Sequence, residues 1–302
     1  MTTSDASRRS AAGTDEADAS HNFAAGAAEP AAVGGGLSGS SRARGQLRLP
    51  SLSGVALILF LCVLWELSVQ LEVVDSPNWP ALSDVLLAFW DLLRDGTLLS
   101  VFGTSLRRLA IGYALAVVAG VSLGLVMGYF RWAQRLFEPV VEVLRPIPSP
   151  AYIPVAILFL GIGDSMKVFM VAFSAFFPIL LNTIAGVRSV DPILLDTART
   201  FGLGTRAIVR KIVLPASLVY IFTGLRISLA IALILTVIAE QVAGNSGVGF
   251  YLLSAQRSFL IPQMYATVVG LAIVGFALNR LFLLVERRAL PWNVHTRRSE
   301  VT

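Results

Sequence analysis

The sequence predicts an all-α integral membrane protein with six membrane-crossing helices, and three observations carry that prediction. Apolar residues make up 55% of the 302, charged residues only 14%, and mean hydropathy is +0.73. Such a composition excludes an ordinary soluble domain. Crossing the hydrocarbon takes about 20 apolar residues, and stretches of that kind recur near 54–71, 109–130, 147–162, 168–187, 216–239 and 266–285. The basic residues then alternate with the spans. Counting from an inside amino terminus, Arg131, Arg135, Arg145, Arg188, Arg199, Arg206, Arg210, Lys211, Arg287 and Arg288 fall inside, and only Arg94, Arg107, Arg108, Lys167 and Arg257 fall outside. Lys and Arg gather on cytoplasmic segments, and a five-span count would scatter the inner clusters over both faces. Both termini are therefore predicted inside. The net charge of +5 follows from this topology and not from a nucleic-acid face.

Residues 1–50 are rich in Ala, Gly and Ser and lack the apolar core of a signal peptide, which predicts a disordered cytoplasmic tail. Arg42, Arg44 and Arg48 precede the first span and hold its start inside. Residues 51–292 form the transmembrane domain, and residues 293–302 a second cytoplasmic tail. Cys62, the single cysteine, lies in the first span and can form no intrachain disulfide. His21 and His295 sit in the tails, and no Cys/His/Asp group has metal-ligand spacing.

Ser83–Arg94 has a serine at its start and apolar residues at helical spacing, so it reads as a short amphipathic helix, lying at the outer interface or packed on the spans. In the second span Gly112, Ala116, Gly120, Gly124 and Gly128 recur every fourth residue. One helix face is thus nearly free of side chains, a seam for close approach of another helix of this chain or of a second copy. The third span is interrupted by Pro148, Pro150 and Pro154. Broken backbone in a membrane is tolerated where it is buried in protein or lines a cavity, so Arg145–Pro154 is either part of a pathway or an entry loop leading into a kinked span.

The most informative segment lies between the fourth and fifth spans. Asp191 and Pro192 can start a helix, Thr197 and Ala198 leave one flank smooth, and Gly202 permits a sharp turn. A second short helix, residues 205–212, would lead to Pro215 and the fifth span. This spacing resembles the signature of binding-protein-dependent ABC transporter permeases, E-A-A, three residues, G, nine residues, I-x-L-P. Here its positions are Asp196, Thr197, Ala198, Gly202, Ile212, Leu214 and Pro215. Asp196 for Glu and Thr197 for Ala are departures that shorten the acid and add a hydroxyl. Further stretches are similar to the sulfonate, taurine and nitrate branch of that family: Arg145-Pro-Ile-Pro148, Tyr152-Ile-Pro154, Gly161-Ile-Gly163, Asn182-Thr183, Gly186-Val-Arg188, Thr223-Gly-Leu-Arg226, Ala239-Glu240, Gly247-Val-Gly249, Glu286-Arg-Arg288 and Pro291-Trp292. The resemblance runs from about residue 77 to 292.

What it implies is a six-span importer permease of a bacterial inner membrane that pairs with a second copy and accepts substrate from an extracytoplasmic binding protein. Two ABC ATPase subunits would drive it. In family terms, 196–202 is the coupling helix that enters a groove of the ATPase, where bulk at Ala198 or Gly202 would uncouple transport. No G-x-x-x-x-G-K-[ST] loop occurs in the chain, so ATP would be bound by the partner subunit and this chain needs no cofactor.

Arg145, Pro148, Asn182, Arg226 and Glu240 are the candidates to line a pathway. Arg226 stands eleven residues beyond Pro215, about 16 Å along a helix at 1.5 Å per residue, which places it near mid-bilayer. A buried arginine there needs a partner, as a structural ion pair or as a guide for an anion, with Glu240 on much the same face. Two motifs mislead. The run 202–207 fits a dinucleotide fingerprint without a strand or βαβ unit around it, and Gly244–Gly247 resembles a protease serine motif with no histidine in any span. The main rival is an ion-driven secondary transporter, which should show an inverted repeat. None is visible, and no acid, base and nucleophile converge for an enzyme. Substrate identity stays open among alkanesulfonate, taurine, nitrate, other small organic anions and a vitamin precursor.

Overall fold

The computed structural model describes residues 50–73 and 76–291, with side chains from residue 54 onward. The predicted tails, His21, His295 and Trp292 fall outside the described residues. All regular structure among the described residues is helical. In order these are α1 (Pro50–Gln70), α2 (Leu82–Arg94), α3 (Thr97–Tyr129), α4 (Arg131–Leu144), a 3₁₀ turn (Ser149–Tyr152), α5 (Ile153–Leu160), α6 (Asp164–Arg188), α7 (Pro192–Thr200), α8 (Thr205–Ile208), a π-turn (Val209–Val213), α9 (Leu214–Ala243), α10 (Val248–Arg257) and α11 (Ile261–Ala289).

Four helical rods are long and apolar enough to cross a membrane: 97–129, 164–188, the continuous run 205–243, and 261–289. A fifth crossing exists only if α4 and the 149–160 segment count together, and they bend by 91° at their break. The described apolar part of α1, Gly54–Gln70, is shorter than these rods, so length and composition give four to five crossings among the described residues where the sequence predicts six. The third span, predicted near 147–162 as short and interrupted by prolines, is found as a bent pair of segments. The twelve helical residues of 149–160 reach about 18 Å, short of the ~30 Å hydrocarbon, because the prolines at 146, 148 and 150 forbid helix through the corner. The separate short helix predicted at 205–212 is corrected. It runs straight into α9 through the π-turn, which absorbs the donor missing at Pro215.

The core is a three-rod layer with α6 in the middle. A Cβ on Gly112 would lie 2.7 Å from the Val168 carbonyl, on Gly120 2.8 Å from Ile179, and on Gly124 and Gly128 2.6 Å from Thr183 and Val187. The small-residue ribbon of α3 therefore faces α6 of the same chain. On its other side α6 meets α9, where Gly186 lies against Ser217 and Tyr220, and Gly224 against Asn182 and the Pro178 carbonyl. Lipid tails are as apolar as leucine, so close backbone approach, not water exclusion, holds such rods together. Tyr113 pins α3 directly to α9 by donating its hydroxyl to the Leu225 carbonyl at 2.7 Å.

α2 packs on the start of α11, with Val85 and Leu92 against Leu98 and Ala266. Ser83 is not its cap: the helix starts at Leu82, and Glu66 of α1 accepts from both the backbone N–H and the hydroxyl of Ser83 at 3.1 Å. A carboxylate beside a helix amino terminus satisfies a donor that the helix itself cannot. Trp65, Trp79 and Tyr265 cluster close by, with ring centroids 5.4–6.4 Å apart. Arg280, within its span, lies over the Phe276 ring of its own helix at 4.9 Å.

Candidate functional site: the α7 elbow and the ion-paired rod ends

The elbow is built from its caps inward. Asp191 accepts from the Ile193 N–H at 2.8 Å, with Pro192 in the first helical position. At the other end Leu203 N–H bonds the Ala198 carbonyl at 3.1 Å and Gly202 N–H the Arg199 carbonyl at 2.9 Å. This pair of bonds is a Schellman stop, with Gly202 at φ +73° supplying the left-handed residue that the motif requires. Thr197 donates its hydroxyl to the Ile193 carbonyl at 2.8 Å, so the hydroxyl that replaces an alanine methyl is consumed within the helix. Asp196 pairs with Arg199 at 2.8 Å on the exposed flank. The Tyr129 hydroxyl first, and then the Asp196 carboxylate, hold the Arg199 guanidinium above its ordinary range.

The signature residues shape the elbow and do not all face outward. Ala198 is buried against Val187, Val190, Ile208 and Val213, with Leu125, Tyr129, Leu203 and Ile212 around them. Within the 196–202 helix, Ala198 itself turns its methyl group to the rods. Exposed instead are Ile193 at 74%, Leu194 at 48% and Phe201 at 82%. No sequence signature marks these three, but bulky apolar residues in a polar loop are a signal that could have found them.

The five residues expected to line a pathway are not brought together. Arg145 and Pro148 are exposed at the α4 break. Asn182 donates to the Pro178 carbonyl of its own helix at 2.8 Å and packs on Gly224. Arg226, twelve residues into α9, pairs with Glu286, three residues before the end of α11. This pair is half-buried, and the Arg226 Nε has no partner. Glu240 belongs to a different site about 21 Å further along α9.

That second site, at the rod ends opposite the elbow, is what sequence reasoning missed. Helix α3 starts twelve residues earlier than its predicted span, which carries Ser105 and Arg108 into the bundle and leaves Arg107 at its surface. Arg108, 2% exposed, and Glu240, fully buried, pair at 2.7 Å. Asp164 at the start of α6 takes Arg108 at 2.6 Å and the exposed Arg107 at 2.5 Å. Lys167 is buried on the same turn of α6. The charges were visible in the sequence; their convergence from α3, α6 and α9 was not. Among the described residues no group of three or more His, Cys, Asp or Glu could hold a metal ion.

Residues 116–291 match the family described as the binding-protein-dependent transport system inner membrane component. The chain belongs to this family. The permease is 30% identical over 248 residues to the putative aliphatic sulfonates transport permease SsuC of Bacillus subtilis, covering 82% of this chain and 90% of that one. It is 29% identical to the taurine transport system permease TauC of Escherichia coli, over 82% and 91% of the two chains. Among solved structures, the inward-facing MetNI methionine ABC transporter superposes with a TM-score of 0.55 at 19% identity, covering 66% of this permease and 96% of that chain. At that identity the likeness is one of fold. The permease is thus a multi-pass, non-enzymatic membrane subunit of an ABC importer.

Proposed function

We propose that this permease forms the channel of an ATP-driven importer for a small anionic solute of the alkanesulfonate, taurine or nitrate kind. The observation that carries the proposal is the elbow: a capped nine-residue helix, fixed to three rods by Ala198 and presenting Ile193, Leu194 and Phe201. Burying a phenylalanine of this exposure would contribute roughly 1.5–3 kcal/mol. That reaches the energy of an interface hot spot. An ABC ATPase pressed against this face would bind the nucleotide, one ATPase per permease copy, and its closure would displace the elbow and the rods together.

The elbow end, with Arg188, Arg199, Arg206, Arg210, Lys211, Arg287 and Arg288, is then cytoplasmic, as are both termini. The opposite end receives solute from a binding protein. A second copy of the chain covers α5, whose Leu158 and Phe159 are each 84% exposed. The broken backbone at 145–148 supports this, because irregular backbone at membrane depth must be buried in protein or face water. The substrate class is supported by relatives named for aliphatic sulfonates, taurine and nitrate.

The test is uptake of a labelled alkanesulfonate, taurine and nitrate by cells expressing the system, together with growth on alkanesulfonate as sole sulfur source. The proposal expects uptake of one of the three that stops on ATP depletion and survives collapse of the ion gradient. Uptake with the reverse energy dependence would assign the chain to secondary transport.

A further inference from the structure

We propose that Arg108 is a positioning residue: with Glu240 and Ser105 it latches the turn between α9 and α10, so that α10 moves as one body with the rods that carry the elbow. Arg108 uses all five of its N–H donors. Its Nε bonds Asp164 at 2.8 Å, one terminal nitrogen bonds Glu240 at 2.7 Å and the Ser246 carbonyl at 2.9 Å, and the other bonds Asp164 at 2.6 Å and the Ser246 hydroxyl at 2.8 Å. A guanidinium so completely engaged, and 2% exposed, has no donor left for a solute.

The turn is held from beneath as well. The first N–H groups of α10 have no partner inside their helix. Val248 N–H goes to the Ser105 hydroxyl at 2.8 Å, and Gly249 N–H to the Glu240 carboxylate at 3.0 Å. Ser105 in turn donates to Glu240. Gly247, at φ +101°, lies so close over that carboxylate that a Cβ would collide with it. Ser105 and Arg108 belong to α3, Asp164 to α6 and Glu240 to α9, and the far ends of the same three rods pack around Ala198 of the elbow. A displacement of the elbow therefore arrives at α10 through one ion cluster. At the exit of α10, Arg257 and the 81%-exposed Phe259 border a cavity of about 560 Å³, which is the surface the latch positions.

The inference rests on the proposed ATP-driven function, and its test separates the two. The complex, purified with its ATPase, is compared nucleotide-free and after trapping with ATP and vanadate, by hydrogen exchange of the peptide spanning residues 244–257. In wild type the exchange is expected to differ at least twofold between the two states. In Arg108→Gln/Glu240→Gln the nucleotide-free peptide should exchange at least tenfold faster, and the difference should vanish although nucleotide is still trapped. Unchanged nucleotide-free exchange, or a retained nucleotide response, would overturn the latch. Ser105→Ala/Ser246→Ala keeps the buried ion pair, and the same two readouts apply to it should the first variant fail to fold. A wild-type complex that traps no nucleotide would refute the ATP-driven reading, and the nucleotide-free rates would still decide the latch.

Discussion

Gly124→Ala adds a single methyl group at one of the two tightest points of the seam between α3 and α6. The new carbon would lie 2.6 Å from the Thr183 Cβ, 2.8 Å from its Cγ2 and 3.1 Å from the Leu180 carbonyl oxygen. Carbon atoms rest at about 3.5–4.0 Å, so the contact falls short by about 1 Å. Thr183 cannot turn aside, because it is fully buried and its hydroxyl is held by the Ile179 carbonyl at 2.7 Å. The rods must part locally, an overpacking cost of about 1–3 kcal/mol, against which alanine returns up to about 1 kcal/mol of helix propensity. The net loss is then about 0–2 kcal/mol, up to roughly 8 °C at about 2–4 °C per kcal/mol, and against a control that makes the same propensity gain the full overpacking cost of about 1–3 kcal/mol shows. Thermal unfolding in detergent measures it, with Gly103→Ala as the control on the same helix, where a Cβ meets nothing within 4 Å. Equal stability of the two variants would refute the reasoning that close approach at this seam holds the bundle.

Ala198→Leu should lower the same unfolding temperature, by about 1–3 kcal/mol of overpacking against Val187 and Ile208, whereas Phe201→Ala should leave it unchanged. Arg226→Gln strands the half-buried Glu286 and should reduce the yield of folded protein, at less than the ~3–5 kcal/mol of a fully buried pair. Adding Glu286→Gln should restore that yield, and an equally poor double variant would mean the pair is not what matters. Glu240→Ala removes the acceptor of Ser105, Arg108 and Gly249, so folded protein should fall by about 3–5 kcal/mol of stability, read from the fraction that remains monodisperse after mild heating.

Much of the bundle was legible because lipid simplifies the code: apolar length marks α3, α6, α9 and α11, and a four-residue period of small residues marks the α3 seam. Gly202 was legible for a related reason, since a local turn needs a local residue. Which way Ala198 faces was not, because a signature gives spacing and no direction relative to the rods. Nor could the partners of Arg226 and Glu240 be read. Fourteen residues apart, they share a helix face, yet each finds its counter-charge on another helix, 60 and 132 residues away in sequence. Pairing over such separations is a property of packing. The bend at α4 was announced by its prolines, but its 91° angle depends on what α5 rests against.

The central claim is that the elbow grips an ATPase through its exposed apolar residues. It is tested most directly by purifying the permease with its ATPase subunit and repeating the purification with Ile193→Asp/Phe201→Asp, two positions that support no contact within the bundle core. Retention in wild type and at least a tenfold loss in the variant, with the unfolding temperature unchanged, is the predicted result. Equal retention of the ATPase by both proteins would contradict it.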